Sequence, residues 1–225
     1  MKAKGGADWD AYQNFKTPVA QEDFLKSKNS DYKIAAESAQ AWGIGGSNSR
    51  ALNAVTIAIT GALGGQTDLQ VAANSLSPYA ASVIGQQWGH GEDKNKAAQL
   101  TAHAILGATL AYVNGGNPAA GGSAAVAAES AADYLSQKYK SNPDYQNANG
   151  EFETNRLPED VKTQIRDLTA AIGAVVGGTV GDSAFSAQLA GVVGQNAVGN
   201  NYLTSSQLSY YDLELETCGS KTTCD

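Results

Sequence analysis

The chain has 225 residues, of which 42% are hydrophobic but only 8% aromatic, and its formal net charge at pH 7 is -7. Its 15 basic residues are scattered and outnumbered by 22 acidic residues, which excludes the basic, aromatic-interleaved face of an ordinary nucleic-acid-binding protein. Because the apolar share is largely alanine, with 38 Ala beside 25 Gly, the core must come from close backbone contact rather than from large side chains.

The first half of the chain predicts helices in succession. Residues 1–30 mix polar and aromatic side chains and predict a lead-in that becomes helical, and residues 31–42 follow as a helix that the glycines of 43–46 end. The next helix ends at Gly64 and Gly65. It carries an apolar stripe at helical spacing, formed by Leu52, Val55, Ile59 and Leu63.

Two prolines mark predicted helix starts. Pro78 suits the first turn of a third helix and Pro118 the first turn of a fifth, because a first turn leaves its N–H groups unpaired in any case. The fourth helix, between them, places His103 on the same apolar stripe as Leu106 and Leu110. That position favours a buried core histidine whose ring nitrogens are hydrogen-bonded over a catalytic base or a metal ligand.

The second half of the chain predicts two further long helices. Residues 141–156 are rich in Asn and Asp and predict an exposed polar loop. A helix then opens with acidic residues in its first turn, and Asp182 or Ser183 caps a last helix that runs to Gly199. The predicted fold class is therefore all-α: one Gly/Ala-rich bundle of about six to eight helices with flexible tails.

Glycines recur four residues apart within these helices. The two sets are Gly173, Gly177 and Gly181, and Gly61 with Gly65. This spacing puts glycine on one helix face, where a neighbouring backbone can approach closely. A glycine inside a helix costs about 1 kcal/mol relative to alanine, so each set requires a reason. Two reasons stay open: tight packing in a soluble bundle, or a helical hairpin that rearranges and inserts into a bilayer.

The remaining polar residues give weaker patterns. Cys218 and Cys224 predict a small disulfide loop, with free thiols as the alternative, because metal sites require more ligands at tighter spacing. Glu129 and Asp133 share one helix face without a partner His, Arg or Cys, which indicates a solvated face. No catalytic triad, phosphate-binding glycine loop or metal spacing stands out. The sequence therefore predicts no conventional enzyme, no cofactor, no metal, no small-molecule substrate and no polar pocket organised around histidine and acids.

A motif near the C-terminus carries a family resemblance. The last helix runs into Val-Gly-Asn-Asn at residues 198–201, followed by Tyr202 and Leu203. Together with residues 41–46, 61–65, 78–80, 102–107 and 181–183, in that order, this motif resembles the pretoxin domain, with its Val-Glu-Asn-Asn motif, of CdiA-type contact-dependent growth inhibition and filamentous haemagglutinin-like toxin exoproteins. The likeness covers residues 35–203. Gly199 departs from the pattern, because the family usually has glutamate there.

The resemblance implies three segments and a function. Residues 1–45 would belong to the preceding exoprotein region, 46–201 to the helical pretoxin domain, and 202–225 to the start of a variable C-terminal toxin region. The implied work is to carry that toxin into a neighbouring cell, with the target-cell envelope or membrane and the attached toxin domain as partners. A soluble spacer module without membrane activity is the alternative.

The expected location follows from the same resemblance. No apolar segment follows Met1, which predicts no signal peptide and a chain that is either cytosolic or a piece of something longer. The resemblance implies the second: a segment of a secreted or cell-surface exoprotein that is delivered to the target-cell envelope.

The resemblance also implies release of the toxin at this motif. An asparagine amide nitrogen can attack its own main-chain carbonyl, forming a succinimide and breaking the peptide bond to the next residue. Deamidation, the competing reaction, is hindered when the next residue is bulky, as Tyr202 is after Asn201. Asn201 is thus the candidate for self-cleavage, with Asn200 as an orienting neighbour. The alternative is that Gly199 and Asn200 merely end a helix.

Overall fold

The computed structural model describes residues 6–89, 94–147 and 150–203. Over these residues it contains nine α-helices and no β-strand, which confirms the all-α prediction. Residues 204–225, with the predicted flexible tail and both cysteines, lie outside the described part. The helices are α1 (Gly6–Asn14), α2 (Pro18–Lys28), α3 (Ser30–Trp42), α4 (Ser47–Leu63), α5 (Asp68–Ile84), α6 (Lys96–Val113), α7 (Pro118–Ser136), α8 (Glu159–Gly181) and α9 (Ala184–Ala197).

The N-terminal segment is helical from Gly6 onward. Thr17 caps α2 by accepting a hydrogen bond from the backbone N–H of Ala20, and Asn29 caps α3 in the same way. After α3 the chain touches the main bundle, because the backbone N–H of Ile44 donates to the Glu159 carboxylate at the start of α8, at 2.9 Å. This hydrogen bond ties the end of the lead-in to the bundle, and Ile44 also packs against the core cluster that contains Leu157 and Ile165.

The α4–α5 hairpin buries the opposite face of α4 from the one that the sequence indicates. The predicted apolar stripe lies more than half exposed, at Leu52, Val55, Ile59 and Leu63. The buried positions of α4 are instead Arg50, Ala54 and Gly61. Small side chains allow the two helices to approach, so the bulky residues are left on the outside.

The predicted helix start at Pro78 is wrong. Helix α5 begins ten residues earlier, where Thr67 and Gln70 form a capping box. Pro78 lies inside the helix and cannot donate to the carbonyl of Asn74. That carbonyl accepts a hydrogen bond from the Ser77 hydroxyl instead, at 2.8 Å, so the interior proline leaves no carbonyl unpaired.

The main bundle is formed by α6, α7, α8 and α9, with α7 at its centre. Five of the nine buried residues of α7 are alanines, each at most 1% exposed: Ala120, Ala124, Ala125, Ala128 and Ala132. At Gly107 of α6 and Gly121 of α7, a Cβ atom on either residue would overlap the carbonyl oxygen of the other. The two backbones therefore touch directly, a contact that the sequence analysis did not identify.

The predicted glycine face of α8 lies against α9 and α7. A Cβ on Gly173 would lie 3.1 Å from the carbonyl oxygen of Ala190, and one on Gly177 would overlap the methyl group of Ala190. A Cβ on Gly181 would overlap the side chain of Ser186. The α8–α9 interface thus leaves no room for side chains at these three positions.

The second glycine pair has two different roles. Gly61 is buried in α4, and a Cβ there would meet the amide of Gln66. Gly65 lies in the turn after α4 with φ of 78°, and nothing lies within 4 Å of its Cβ position. The packing role predicted for Gly65 is therefore wrong, because a left-handed backbone angle explains this glycine.

The lengths and polarity of the helices bear on the membrane question. Within 6–89, 94–147 and 150–203, no helix is both long enough and apolar enough to span a bilayer.

Candidate functional site

The Val-Gly-Asn-Asn motif forms a wide helical turn at the end of α9. Residues Val198–Tyr202, here called the border turn, are π-helical, and the N–H of Leu203 donates to the carbonyl of Val198 at 3.1 Å. Val198 and Leu203 are 0% exposed and pack in one cluster with Leu157 and Ile165. Single π-turns of this kind are often found at functional sites. The chain passes through the core here instead of leaving it.

Asn201 lies at the centre of a buried polar cluster. Its side-chain amide is 0% exposed and donates to Oε1 of Glu129 on α7. Two residues of α6 approach the same oxygen: Gln99 Nε2 donates to it at 3.3 Å, and His103 Nε2 lies 3.3 Å away. One carboxylate oxygen thus gathers three side chains from two elements.

The cluster corrects three expectations from the sequence. Glu129, predicted on a solvated face, is 0% exposed, because the adjacent helix α6 covers it with Gln99 and His103. His103 is buried at 1% exposure, as predicted, but it is not satisfied: neither ring nitrogen makes a hydrogen bond within the described residues. The sequence also predicted no polar pocket organised around histidine and acids, and this prediction is wrong.

Burial shifts both titrating groups of the cluster toward their neutral forms. It raises the pKa of Glu129 to about 7, against the opposing effects of Lys96 and of the amide donors Asn201 and Gln99. It lowers the pKa of His103 to about 4, with a further contribution from Lys96. A carboxyl group with a pKa near 7 can both take up and give back a proton at neutral pH.

Two glycines of a second π-turn make room for Asn201. The turn Gly85–Gly89 follows α5, and a Cβ on Gly85 would overlap Oδ1 of Asn201. A Cβ on Gly89 would lie 3.1 Å from Nε2 of Gln99 and 3.3 Å from Oδ1 of Asn201. The two π-turns therefore face each other across the amide. Gly85 and Gly89 are four residues apart, so the sequence contains this third glycine pair as well, although its position beside Asn201 depends on the fold.

The residue after Asn201 is held at both ends. The hydroxyl of Tyr202 contacts the Ser136 hydroxyl and donates to Oδ1 of Asp133 at 3.3 Å. Its main-chain carbonyl accepts from the hydroxyl of Thr154. Lys96 Nζ lies 5.6 Å from the centre of its ring. The peptide bond between Asn201 and Tyr202 therefore lies between two residues with fixed positions.

Asn200, predicted to orient Asn201, makes a local contact. Its amide donates to Oδ1 of Asn196, one turn earlier in α9, at 2.7 Å, and it is 8% exposed. A residue that does hold the Asn201 amide is Glu129, 72 positions away in sequence. That partner could not be identified from a motif, because it depends on how α7 packs against the border turn.

Gly199 leaves space for the glutamate of the Val-Glu-Asn-Asn motif. A Cβ at this position would meet only Cγ and Cδ of Arg166, each at 3.9 Å, which is ordinary contact. We expect Gly199→Glu to stabilise the protein by about 1 kcal/mol, because helix propensity improves and the new carboxylate can share Arg166 with Asp167, which pairs with it at 2.7 Å. Chemical denaturation measures the change in the free energy of unfolding.

The matched control for that substitution is Gly199→Ala, which supplies the helix propensity without the charge. The glutamate variant should be the more stable of the two at low salt, and the difference should shrink as salt is added. If Gly199→Glu is less stable than Gly199→Ala, the carboxylate is buried without reaching Arg166.

Comparison with known proteins identifies similar sequences. Residues 154–205 match the family described as "Pre-toxin domain with VENN motif". "Toxin CdiA" of Escherichia coli is 35% identical over 153 residues, covering 67% of this chain and 4% of that protein. "Deoxyribonuclease CdiA" of Yersinia pseudotuberculosis is 36% identical over 177 residues, covering 79% and 15%. "tRNA nuclease CdiA" of Yersinia mollaretii is 32% identical over 200 residues, covering 86% and 6%.

The chain therefore spans 4% to 15% of the length of these three relatives. No solved structure matches it significantly.

Proposed function

Because residues 154–205 belong to the pre-toxin domain family with the VENN motif, which reads Val-Gly-Asn-Asn here, and the chain is related to the CdiA toxin exoproteins, we propose that it carries the attached C-terminal toxin into a neighbouring cell and that Asn201 is the release site. The observation that carries the proposal is the contact between Asn201, in the motif itself, and the buried carboxylate of Glu129. The chain has a role in a contact-dependent toxin exoprotein, and the carrier and release steps are the parts that we propose.

The names of the relatives support a carrier rather than a conventional enzyme. One is named as a deoxyribonuclease, another as a tRNA nuclease and a third as a 16S rRNA endonuclease, although all three match this chain. A region shared by proteins with three different activities serves a step that they have in common. We infer that delivery is that step and that the toxic activity belongs to another part of the parent protein.

The exposed outer face of the α4–α5 hairpin supports contact with the target-cell envelope. Its bulky apolar residues are more than half exposed: Leu52, Val55, Ile59, Leu63, Leu69, Leu76 and Val83. Apolar surfaces of this kind mark interaction with membranes or with other proteins. The hairpin is thus the proposed point of contact between the carrier and the envelope.

Vesicle flotation tests the envelope contact. Val55→Asp with Ile59→Asp places two charges on the apolar face, and Ser47→Asp with Thr60→Asp adds the same charge at exposed positions of α4 outside that face. On vesicles of phosphatidylethanolamine and phosphatidylglycerol, we expect the first pair to abolish binding and the second to reduce it little. A chain that never binds vesicles, or two pairs that behave alike, would favour the spacer module.

The contact between Asn201 and Glu129 supports a defined release reaction. The Asn201 amide nitrogen attacks the carbonyl carbon of its own residue and passes a proton to the Glu129 carboxylate. The bond to the Tyr202 nitrogen breaks, and that nitrogen takes a proton as it leaves. The products are a chain ending in a succinimide at position 201 and a new N-terminus at Tyr202. Glu129 serves as the base and then as the acid.

We infer that the same geometry keeps the bond intact before delivery. Asn201 and Tyr202 are held in a buried helical turn by contacts with Glu129, Ser136 and Thr154. The amide nitrogen must give up part of this arrangement before it can reach the carbonyl carbon. We propose that contact with the target envelope loosens the border turn and starts the reaction.

Intact-mass measurement of the whole chain, with and without target-cell membranes, tests the release step. We expect two fragments whose masses add up to the mass of the intact chain, because cyclisation consumes no water. Cleavage by a contaminating protease would add one water molecule. Asn201→Ala should abolish the fragments, whereas the control Asn200→Ala should retain them. If Asn201→Ala is cleaved like the wild type, or if neither is cleaved under any trigger, Asn201 is not the release site.

A further inference from the structure

A second polar feature lies outside the buried cluster. A cleft of about 740 Å³ separates the α4–α5 hairpin from α9. Eight of its lining residues are Asn or Gln, and none of the described lining residues carries a carboxylate. Arg166 is the one charged side chain among them. This composition is unusual for a chain with 22 acidic residues and a net charge of -7.

The chemistry of the lining suits an extended polypeptide. A side-chain amide offers the same donor and acceptor as a peptide group. Asn53, Gln188 and Gln195 face this cleft from two sides. These three residues are exposed, and their side-chain amides make no hydrogen bond to the residues that the structure describes. The apolar members Trp42, Phe185 and Val192 are 58%, 51% and 56% exposed. The amides of the cleft can form hydrogen bonds with the backbone of an extended segment. The apolar residues of the cleft can contact every second side chain of that segment.

We propose that this cleft binds residues 207–216 of the same chain in an extended conformation. The sequence of this segment alternates with period two at its end: Tyr211, Leu213 and Leu215 are apolar, and the residues after each of them are acidic. In an extended chain, such alternation puts the apolar side chains on one side and the acids on the other. The apolar side faces the wall of the cleft, and the acids face solvent.

The segment can reach the cleft from the point where the described chain stops. Asn200 of the border turn lines the cleft. Ile44 also lines it, and Ile44 packs against the cluster that contains Leu203. The eight residues from Leu203 to Tyr211 can span at most about 26 Å when fully extended. The start of the C-terminal toxin region thus docks on the carrier beside the proposed release site. This docking does not depend on cleavage or on membrane contact.

Nuclear magnetic resonance of the full chain, labelled with 15N, tests the docking. The side-chain NH₂ resonances of Asn53, Gln188 and Gln195 report directly on the cleft. Leu213→Asp with Leu215→Asp removes the apolar side of the segment, and these resonances should shift. Glu214→Gln with Glu216→Gln changes the opposite side and is the matched control, which should leave their positions largely unchanged. A synthetic peptide with the sequence of residues 207–216, added to the double-aspartate variant, should restore the original positions.

Three outcomes would overturn the docking. The cleft resonances can be identical in the wild type and in the double-aspartate variant. The peptide can leave the spectrum of that variant unchanged. The shifts can depend on protein concentration, which would assign the cleft to a second copy of the chain. None of these outcomes bears on cleavage at Asn201, so the docking and the proposed function fail separately.

Discussion

Gly121→Ala is expected to destabilise the protein by about 3 kcal/mol, although it adds only one methyl group. The new Cβ would overlap the carbonyl oxygen of Gly107 and lie 2.7 Å from the methyl group of Ala111. Neither of these groups is the end of a flexible side chain, so helices α6 and α7 must move apart. For a chain of this length, a loss of this size lowers the melting temperature by roughly 6 to 12 °C.

The same chemical change at Gly199 supplies the control. There the added methyl group meets nothing closer than 3.9 Å, so Gly199→Ala should be neutral or stabilising. The difference between the two variants in chemical denaturation therefore measures the close approach of the backbones, separated from the general effect of removing a glycine. Equal stability of Gly121→Ala and Gly199→Ala would mean that α6 and α7 are not in direct backbone contact.

Glu129→Gln is expected to change how the stability of the protein depends on pH. The pKa of Glu129 is raised on folding, from 4.5 to about 7, so its contribution is complete below pH 4.5 and is lost as the pH rises to 7. The pKa of His103 is lowered on folding, from 6.5 to about 4, so its contribution is complete above pH 6.5 and is lost as the pH falls to 4. In the wild type the two slopes oppose each other between pH 4.5 and 6.5.

Removing the carboxyl group leaves the slope of His103 unopposed by Glu129. Between pH 4 and 6.5, the free energy of unfolding of Glu129→Gln should therefore rise by about 3 kcal/mol more than that of the wild type. Denaturation at several pH values provides the measurement, and Glu151→Gln, on an exposed residue, is the control and should follow the wild type. Parallel curves for the wild type and Glu129→Gln would show that Glu129 is not buried as a neutral group.

The fold class was predictable because composition and helical periodicity are local properties of the sequence. Abundant alanine and the absence of any long period-two segment already excluded a sheet. The face that each helix buries was less predictable. The apolar stripe of α4 was expected to be buried. The structure instead buries Ala54 and Gly61, because small residues allow closer helix packing. In such a chain the side-chain bulk that usually marks a core is found partly outside it.

The candidate site could be predicted only in part. Asn201 was found because its neighbours form a motif, which is also local in sequence. Glu129, His103 and Gln99 were missed because they belong to different helices and meet only when α6 and α7 pack together. The glycines that bring these helices into contact, Gly107 and Gly121, do not share the spacing of four that the sequence analysis followed.

Glu129 anchors Asn201 in the core of the carrier, and a double-mutant cycle provides the sharpest test of this claim. The free energy of unfolding is measured for the wild type, Asn201→Ala, Glu129→Ala and the double variant. We predict that the two substitutions are coupled by about 1 to 3 kcal/mol, because either one alone leaves a buried polar group without its partner. Additivity within about 0.5 kcal/mol would contradict the claim.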